Sequence, residues 1–118
     1  MTGRQRQEAE PTPEIEVEAL RERLTTGGEQ AARVIDVRED WEWAQGHIAG
    51  ATHIPLGQIP TRLSELDGAR EVYFICHLGG RSEMATRFAR QQGLVGAINV
   101  GGGMDAWESR GHPVTSEP

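Results

Sequence analysis

There is no lysine in this chain; all 12 basic residues are arginine. That absence removes Schiff-base chemistry and the phosphate-gripping lysine of a Walker loop, so any anion has to be met by arginine, histidine or backbone amides. Cysteine is almost absent too, represented by Cys76 alone. One thiol cannot close an internal disulfide, and nothing here calls for an oxidising compartment. Apolar runs last only a few residues, far short of the roughly 20 needed to span a bilayer, and the polar start of the chain does not read as a secretory signal. The expectation is a soluble cytoplasmic protein with no membrane partner. Positive charge is in deficit, with a net charge of −6 and a pI near 5.2, and no arginine cluster stands out. The electrostatic footprint of a nucleic-acid binder is therefore missing. Metal-ligand spacing is missing as well: His47 and His53 have no further ligands near them in sequence and read as buried or bridging side chains. Gly101 to Gly103 lack the G-x-G-x-x-G spacing of a dinucleotide loop and read instead as a place where a strand passes close beside another loop. Neither a metal nor an organic cofactor is expected.

With 118 residues the chain fits one domain, large enough to bury a core without disulfides. Residues 1–12 are polar and aperiodic and read as a flexible N-terminal tail; residues 13–118 read as the folded domain. A short edge strand is expected near Ile15, merging into a helix through Leu24 with Val17, Leu20 and Leu24 on one face and Thr25-Thr-Gly-Gly28 as its stop. Ala32-Arg-Val-Ile-Asp-Val37 reads as a buried strand, Arg38 to Trp43 as a helical turn, and Thr52-His-Ile54 as a brief strand after turns at Gly46 and Gly50. Residues 59–66 predict a helix facing inward through Ile59, Leu63 and Leu66. Then come a strand over 71–76, a helix over 81–92 with Met84, Ala85, Phe88 and Ala89 inward, a strand over 96–100 and a short helix over 104–109. Trp41, Trp43 and Trp107 read as core or rim packing. Strands alternating with helices predict a parallel sheet covered on both faces, whose ligands bind at the carboxyl ends of its strands. Cys76 lies at such an end.

There the apolar run Glu71-Val-Tyr-Phe-Ile-Cys76 breaks into His77-Leu-Gly-Gly-Arg-Ser82 as a helical pattern begins. A lone cysteine at a strand end is more often a small buried hydrophobe than a nucleophile. The loop changes that reading. A strand feeding a helix through glycines aims several N–H groups and the positive end of the helix dipole at one spot, which lowers the pKa of a thiol placed there. Gly79 and Gly80 permit the backbone conformations of an anion nest, and Arg81 adds a fixed positive charge. Ser82 reads first as a plain helix N-cap, and His77 as a solvated loop histidine ahead of a titrating neighbour of the thiolate.

Cys76-His-Leu-Gly-Gly-Arg81 resembles the active-site loop of the rhodanese, or thiosulfate sulfurtransferase, family. Ile35-Asp-Val-Arg-Glu39, Glu42-Trp43, Gly46-His-Ile-Ala-Gly-Ala51 and His53-Ile-Pro-Leu56 resemble, in order, the first signature of that family. Asn99-Val-Gly-Gly-Gly-Met-Asp-Ala-Trp107 with Gly111-His-Pro-Val114 resembles its C-terminal one. The resemblance implies a three-layer α/β sandwich, with a central five-stranded parallel sheet and helices on both faces. It also implies a single-domain sulfurtransferase. In that chemistry the Cys76 thiolate takes the outer sulfur of thiosulfate or another persulfide donor, holds it as a persulfide within the loop formed by His77, Leu78, Gly79, Gly80, Arg81 and Ser82, and passes it to cyanide or a thiol. The implied partner is a small sulfur-containing anion or a protein bearing a thiol or persulfide; oligomeric state is left open. Asp36 and His47 are expected to support the site. Arg38 reads evenly as a support of the loop around Gly46 or as a contact to the donor anion.

Two alternatives stand beside this reading: a noncatalytic interaction module on the same fold, and a cysteine phosphatase or arsenate reductase. Cysteine phosphatases of related architecture place the arginine one residue later, where Ser82 stands here, so the shorter loop favours a sulfur atom over a phosphoryl group. His77 stands where relatives often carry arginine, and weak thiosulfate turnover is the expectation.

Overall fold

Short β-branched runs become the strands of one sheet. The computed structural model describes residues 11–27 and 32–118. In it β1 (Glu14–Ile15), β2 (Arg33–Asp36), β3 (Thr52–His53), β4 (Val72–Ile75) and β5 (Ala97–Val100) lie in the order β1-β5-β4-β2-β3. Every neighbouring pair is parallel. Parallel neighbours cannot be closed by tight turns, so the chain returns over the faces of the sheet through helices. These are α1 (Val17–Thr26), α2 (Asp40–Gln45), α3 (Ile59–Arg62), α4 (Gly80–Gln91) and α5 (Gly103–Ser109). Residues 1–10 of the expected tail, and Gly28 of the expected helix stop, lie outside the described residues. Among the described residues no helix is long and apolar enough to cross a membrane.

The central strand sorts its side chains by parity. Val72 and Phe74 enter one core with Ile35, Val37, Ile59, Leu66, Ala85 and Ala89, beneath α3 and α4. Tyr73 and Ile75 enter the other with Val17, Leu20, Met104 and Trp107, beneath α1 and α5. All four residues of β4 are buried, as expected of a strand covered on both faces. Cys76 continues the first series and belongs to the core under α4. The five-stranded parallel sheet with helices on both faces matches the expectation.

Two expected elements differ. The helix over 59–66 is broken: a 3₁₀ turn at Leu56–Gln58, α3, and a second 3₁₀ turn at Leu63–Leu66. Side chains three apart eclipse in a 3₁₀ turn, so this tightening lines Leu63 and Leu66 on one edge against the core. Met84 is exposed, not inward. The buried stripe of α4 consists of Ser82, Ala85, Thr86 and Ala89, spaced as one helical face, and these small residues let α4 approach the sheet closely. Met84 falls on the opposite side of that helix.

A buried ion pair ties the end of β2 to the turn that follows α2. The Arg38 backbone N–H and Nε donate to Asp36 Oδ1 at 3.0 and 2.9 Å, and Nη2 donates to Asp36 Oδ2 and to the Gly46 carbonyl, both at 2.8 Å. Asp36 is wholly buried and Arg38 is 5% exposed. Removing one partner leaves an uncompensated charge in the interior, so Asp36→Ala is expected to cost about 3–5 kcal/mol. A lower midpoint in urea with an unchanged slope checks this. Met84→Ala, a change on the exposed face, is expected to stay within about 0.5 kcal/mol.

Candidate active site

The parity that buries Phe74 also sends the side chain of Cys76 under the first turn of α4. That turn starts from Gly79, the residue before the helix, whose φ of +113° is open to glycine at little cost. The thiol sulfur accepts the N–H of Gly79 at 3.1 Å, the N–H of Ser82 at 3.3 Å and the Ser82 hydroxyl at 3.3 Å. Burial pushes the Cys76 thiol up, but hydrogen bonds from the Ser82 hydroxyl and from the Ser82, Gly79 and Arg81 amides outweigh it, so the thiol lies below its ordinary value. These donors prefer the thiolate over the thiol.

Ser82 corrects the expectation of a plain N-cap. It sits in the first turn, and its side chain caps no backbone group. Its hydroxyl lies 2.6 Å from Asn99 Oδ1 as well as against the sulfur, and its single proton serves these two acceptors. Asn99 Nδ2 donates to Glu14 Oε1 at 3.2 Å and to the Gly79 carbonyl at 3.3 Å, which turns Oδ1 toward Ser82. Asn99 was not singled out by the sequence reading. Its signal there is a polar side chain in an otherwise apolar strand, with the parity of Ala97 and hence facing α4.

The other side of the loop is held by α5. The N–H groups of Met104 and Asp105 donate to the carbonyls of Cys76 and His77 at 2.7 and 2.9 Å. Gly103 permits this approach: a Cβ there would run into both carbonyl oxygens, and its φ of +57° is itself costly for other residues. The glycine run therefore serves close packing against the loop, as expected. His77 and Leu78 are exposed at the mouth.

Arg81 contributes its amide to the sulfur, while its guanidinium is held elsewhere. Nη1 and Nη2 donate to the two carboxylate oxygens of Glu42 at 2.7 and 2.9 Å. That bond, assisted by the Glu39 amide and the charges of Arg81 and Arg38, holds the Glu42 carboxyl down at about 2 against the opposing effect of burial. Glu42 also accepts the backbone N–H of Glu39 at 2.9 Å, completing a capping box at the start of α2. The sequence reading gave Glu42 no role; its signal is an acid between Trp41 and Trp43 in a helix too short to need one for solubility. Arg38 does not face a donor: its guanidinium is buried on Asp36 and Gly46, which corrects the half of the expectation that placed it on the anion. His47 is buried, stacks on Trp43 at 3.4 Å between ring centroids, and donates from Nδ1 to the Trp43 carbonyl at 2.8 Å. His53 donates from Nε2 to the Arg38 carbonyl at 2.7 Å. Trp107 is core and Trp43 packs on these histidines, whereas Trp41 is exposed.

Because the Ser82 hydroxyl stabilises only the charged sulfur, Ser82→Ala is expected to raise the thiol pKa. Reactivity that depends on the thiolate is present above that pKa and lost below it, so alkylation by iodoacetamide at neutral pH slows on the order of tenfold. The limiting rate at alkaline pH stays unchanged. A pH profile of alkylation reads both.

Comparison with known proteins agrees with this geometry. The family model described as "Rhodanese-like domain" matches residues 16–110. A candidate sulfur carrier protein of Bacillus subtilis, YrkF, is 41% identical over 102 residues, covering 86% of this chain and 54% of that protein. The chain thus spans about half the length of that relative. A candidate sulfurtransferase of the same organism, YtwF, is 41% identical over 100 residues, covering 85% of this chain and 94% of that one. The crystal structure of a rhodanese-related protein from Thermoplasma volcanium superposes with a TM-score of 0.80 at 32% identity, over 89% of this chain and 99% of that one. The match spans β1's neighbour α1 through α5 and includes the strand, the loop and the helix that surround Cys76, and the chain belongs to the rhodanese-like domain family.

Proposed function

We propose that this chain is a sulfurtransferase that carries a sulfane sulfur as a persulfide on Cys76. The observation that carries the reading is the set of donors on the thiol sulfur: two backbone N–H groups and a hydroxyl converge on it at the end of the central strand. Relatives named for sulfur carriage and sulfur transfer support the same role. The thiolate attacks the outer sulfur of thiosulfate or of a persulfide; the donor S–S bond breaks, and sulfite or a thiolate leaves with the electron pair. Cyanide or an acceptor thiolate then attacks the outer sulfur of the Cys76 persulfide, which returns Cys76 as its thiolate. Loop amides stabilise the anionic sulfur before and after each transfer, which favours a nucleophile that is also a good leaving group. The residues carrying this chemistry are Cys76 as nucleophile, Gly79 and Ser82 as donors to it, and Asn99 behind Ser82.

The phosphatase alternative lacks support, because Ser82 stands where its arginine would and the guanidinium of the neighbouring Arg81 is held by Glu42. Incubation with thiosulfate followed by mass spectrometry is expected to show one added sulfur on Cys76, removed by cyanide as thiocyanate. Cys76→Ser is expected to take no sulfur and to reduce thiocyanate formation to the uncatalysed level. An unchanged mass after every sulfane donor sinks the reading, and retention of cellular function by Cys76→Ala would favour the interaction module.

A further inference from the structure

Arg81 is the one guanidinium of the Cys76 loop that could greet an anionic donor, and its charge is already spent. Its two terminal nitrogens donate one to each carboxylate oxygen of Glu42, whose side chain is 11% exposed beside an arginine side chain that is 35% exposed. Glu39 adds a second negative charge within range of the same guanidinium. Nearby cations do not make up the deficit: Arg38 is buried on Asp36, and Arg87, one helical turn beyond Glu83, is paired with it. Asp40 on α2 and Asp105 on α5 are exposed acids, and His77 is the one other basic side chain of the loop. With Arg81 paired, the loop offers an incoming anion no free guanidinium and sets the charges of Glu42 and Glu39 beside it, while Leu78, exposed in the loop, adds an apolar surface. Repulsion grows in proportion to the charge of the incoming group, so a dianion is disfavoured about twice as strongly as a monoanion at equal distance.

We propose that Glu42 is a specificity-determining residue: by neutralising Arg81 it directs Cys76 toward thiol-borne persulfides, whose reacting end carries at most one negative charge, and away from dianions such as thiosulfate. This rests on the reading of Cys76 as a sulfur carrier. In the favoured step the Cys76 thiolate attacks the terminal sulfur of R–S–SH. The new S–S bond yields Cys76–S–SH, the bond between the two donor sulfurs breaks, and RS⁻ leaves with the electron pair. Atoms and charge balance without an added oxidant or reductant.

Glu42→Gln tests the assignment without dismantling the helix, because a glutamine at this position keeps an acceptor for the Glu39 N–H and so keeps the capping box. Single-turnover loading of Cys76 is followed by mass with two donors, thiosulfate and the persulfide of N-acetylcysteine amide, which bears no charge besides its sulfur. The ratio of the two rate constants cancels any change in the ionisation of Cys76 itself. Freeing one guanidinium charge is expected to raise the thiosulfate constant about tenfold relative to the persulfide constant. Added salt is expected to speed thiosulfate loading of the parent protein more than that of Glu42→Gln, since one charge that repels the dianion is gone. Arg81→Gln alone, which leaves the Glu42 charge unmatched, is expected to lower the ratio, and the double variant, which removes both charges, to return it to about the parent value. A ratio that moves less than about twofold on Glu42→Gln, or that Arg81→Gln does not lower, overturns the proposal. A ubiquitin carrying one introduced cysteine persulfide supplies the protein-borne arm: faster loading from it than from the small persulfide identifies a protein source, and the reverse a small-molecule one. Absence of sulfur on Cys76 from all three donors would instead overturn the sulfurtransferase reading beneath it.

Discussion

The chemistry available to this fold depends on which way the peptide groups after Cys76 point. The carbonyls of Cys76 and His77 are claimed by the amides of Met104 and Asp105, and further along the loop the N–H groups of Gly79 and Ser82 face the sulfur. Each peptide unit has one donor and one acceptor, and a turn buried in the protein must satisfy both. Packing the start of α5 against those carbonyls fixes the first two peptide units of the loop, and the φ of +113° at Gly79 with the start of α4 after it brings the Gly79 and Ser82 donors onto the sulfur. Gly103 is the steric condition for that packing, because no side chain fits between it and the Cys76 and His77 carbonyls.

That arrangement sets two opposed forces on one atom. Cys76 is 1% exposed, and burial by itself favours the neutral thiol. The converging donors favour the charged form, and they win because they are fixed in place by β4, α4 and β5 before any proton leaves. Asn99 takes part in this from a neighbouring strand: anchored by Glu14 and the Gly79 carbonyl, it gives the Ser82 hydroxyl a defined partner when the sulfur is protonated. The site is thus braced from the edge strand β1 through β5 to β4, three adjacent strands of the sheet.

A second device governs charge at the mouth. Glu42 reaches the loop from α2, and α2 is set in position by the Asp36–Arg38 pair and by His47 and His53 on either side of Trp43. The residues that follow β2 therefore serve the site without touching the sulfur. Their buried charges are matched one to one, and the pairing of Arg81 leaves the loop with amide donors as its main attraction for an anion.

Much of this was legible in the chain itself. Short β-branched runs and helical periodicity located the strands and, apart from the broken helix over 59–66, the helices to within a few residues, because apolar patterning is a local property of the sequence. The Cys76 loop was legible for the same reason: strand, glycines, arginine and helix are consecutive. Three features were not. Met84 was assigned inward on hydrophobicity, yet α4 buries its small residues, a choice made by how close the helix must come to the sheet. The partners of Arg81 and Ser82 come from α2 and β5, and nothing in local pattern states which polar groups will meet across such distances in sequence. The sequence by itself determined an α/β sheet with a cysteine where the central strand feeds a helix, since strand parity and helix-start geometry follow from adjacent residues. Only the tertiary structure decided that Glu42 silences Arg81 and that Asn99 stands behind Ser82, because hydrogen bonds and ion pairs form between whatever groups packing brings within about 3 Å.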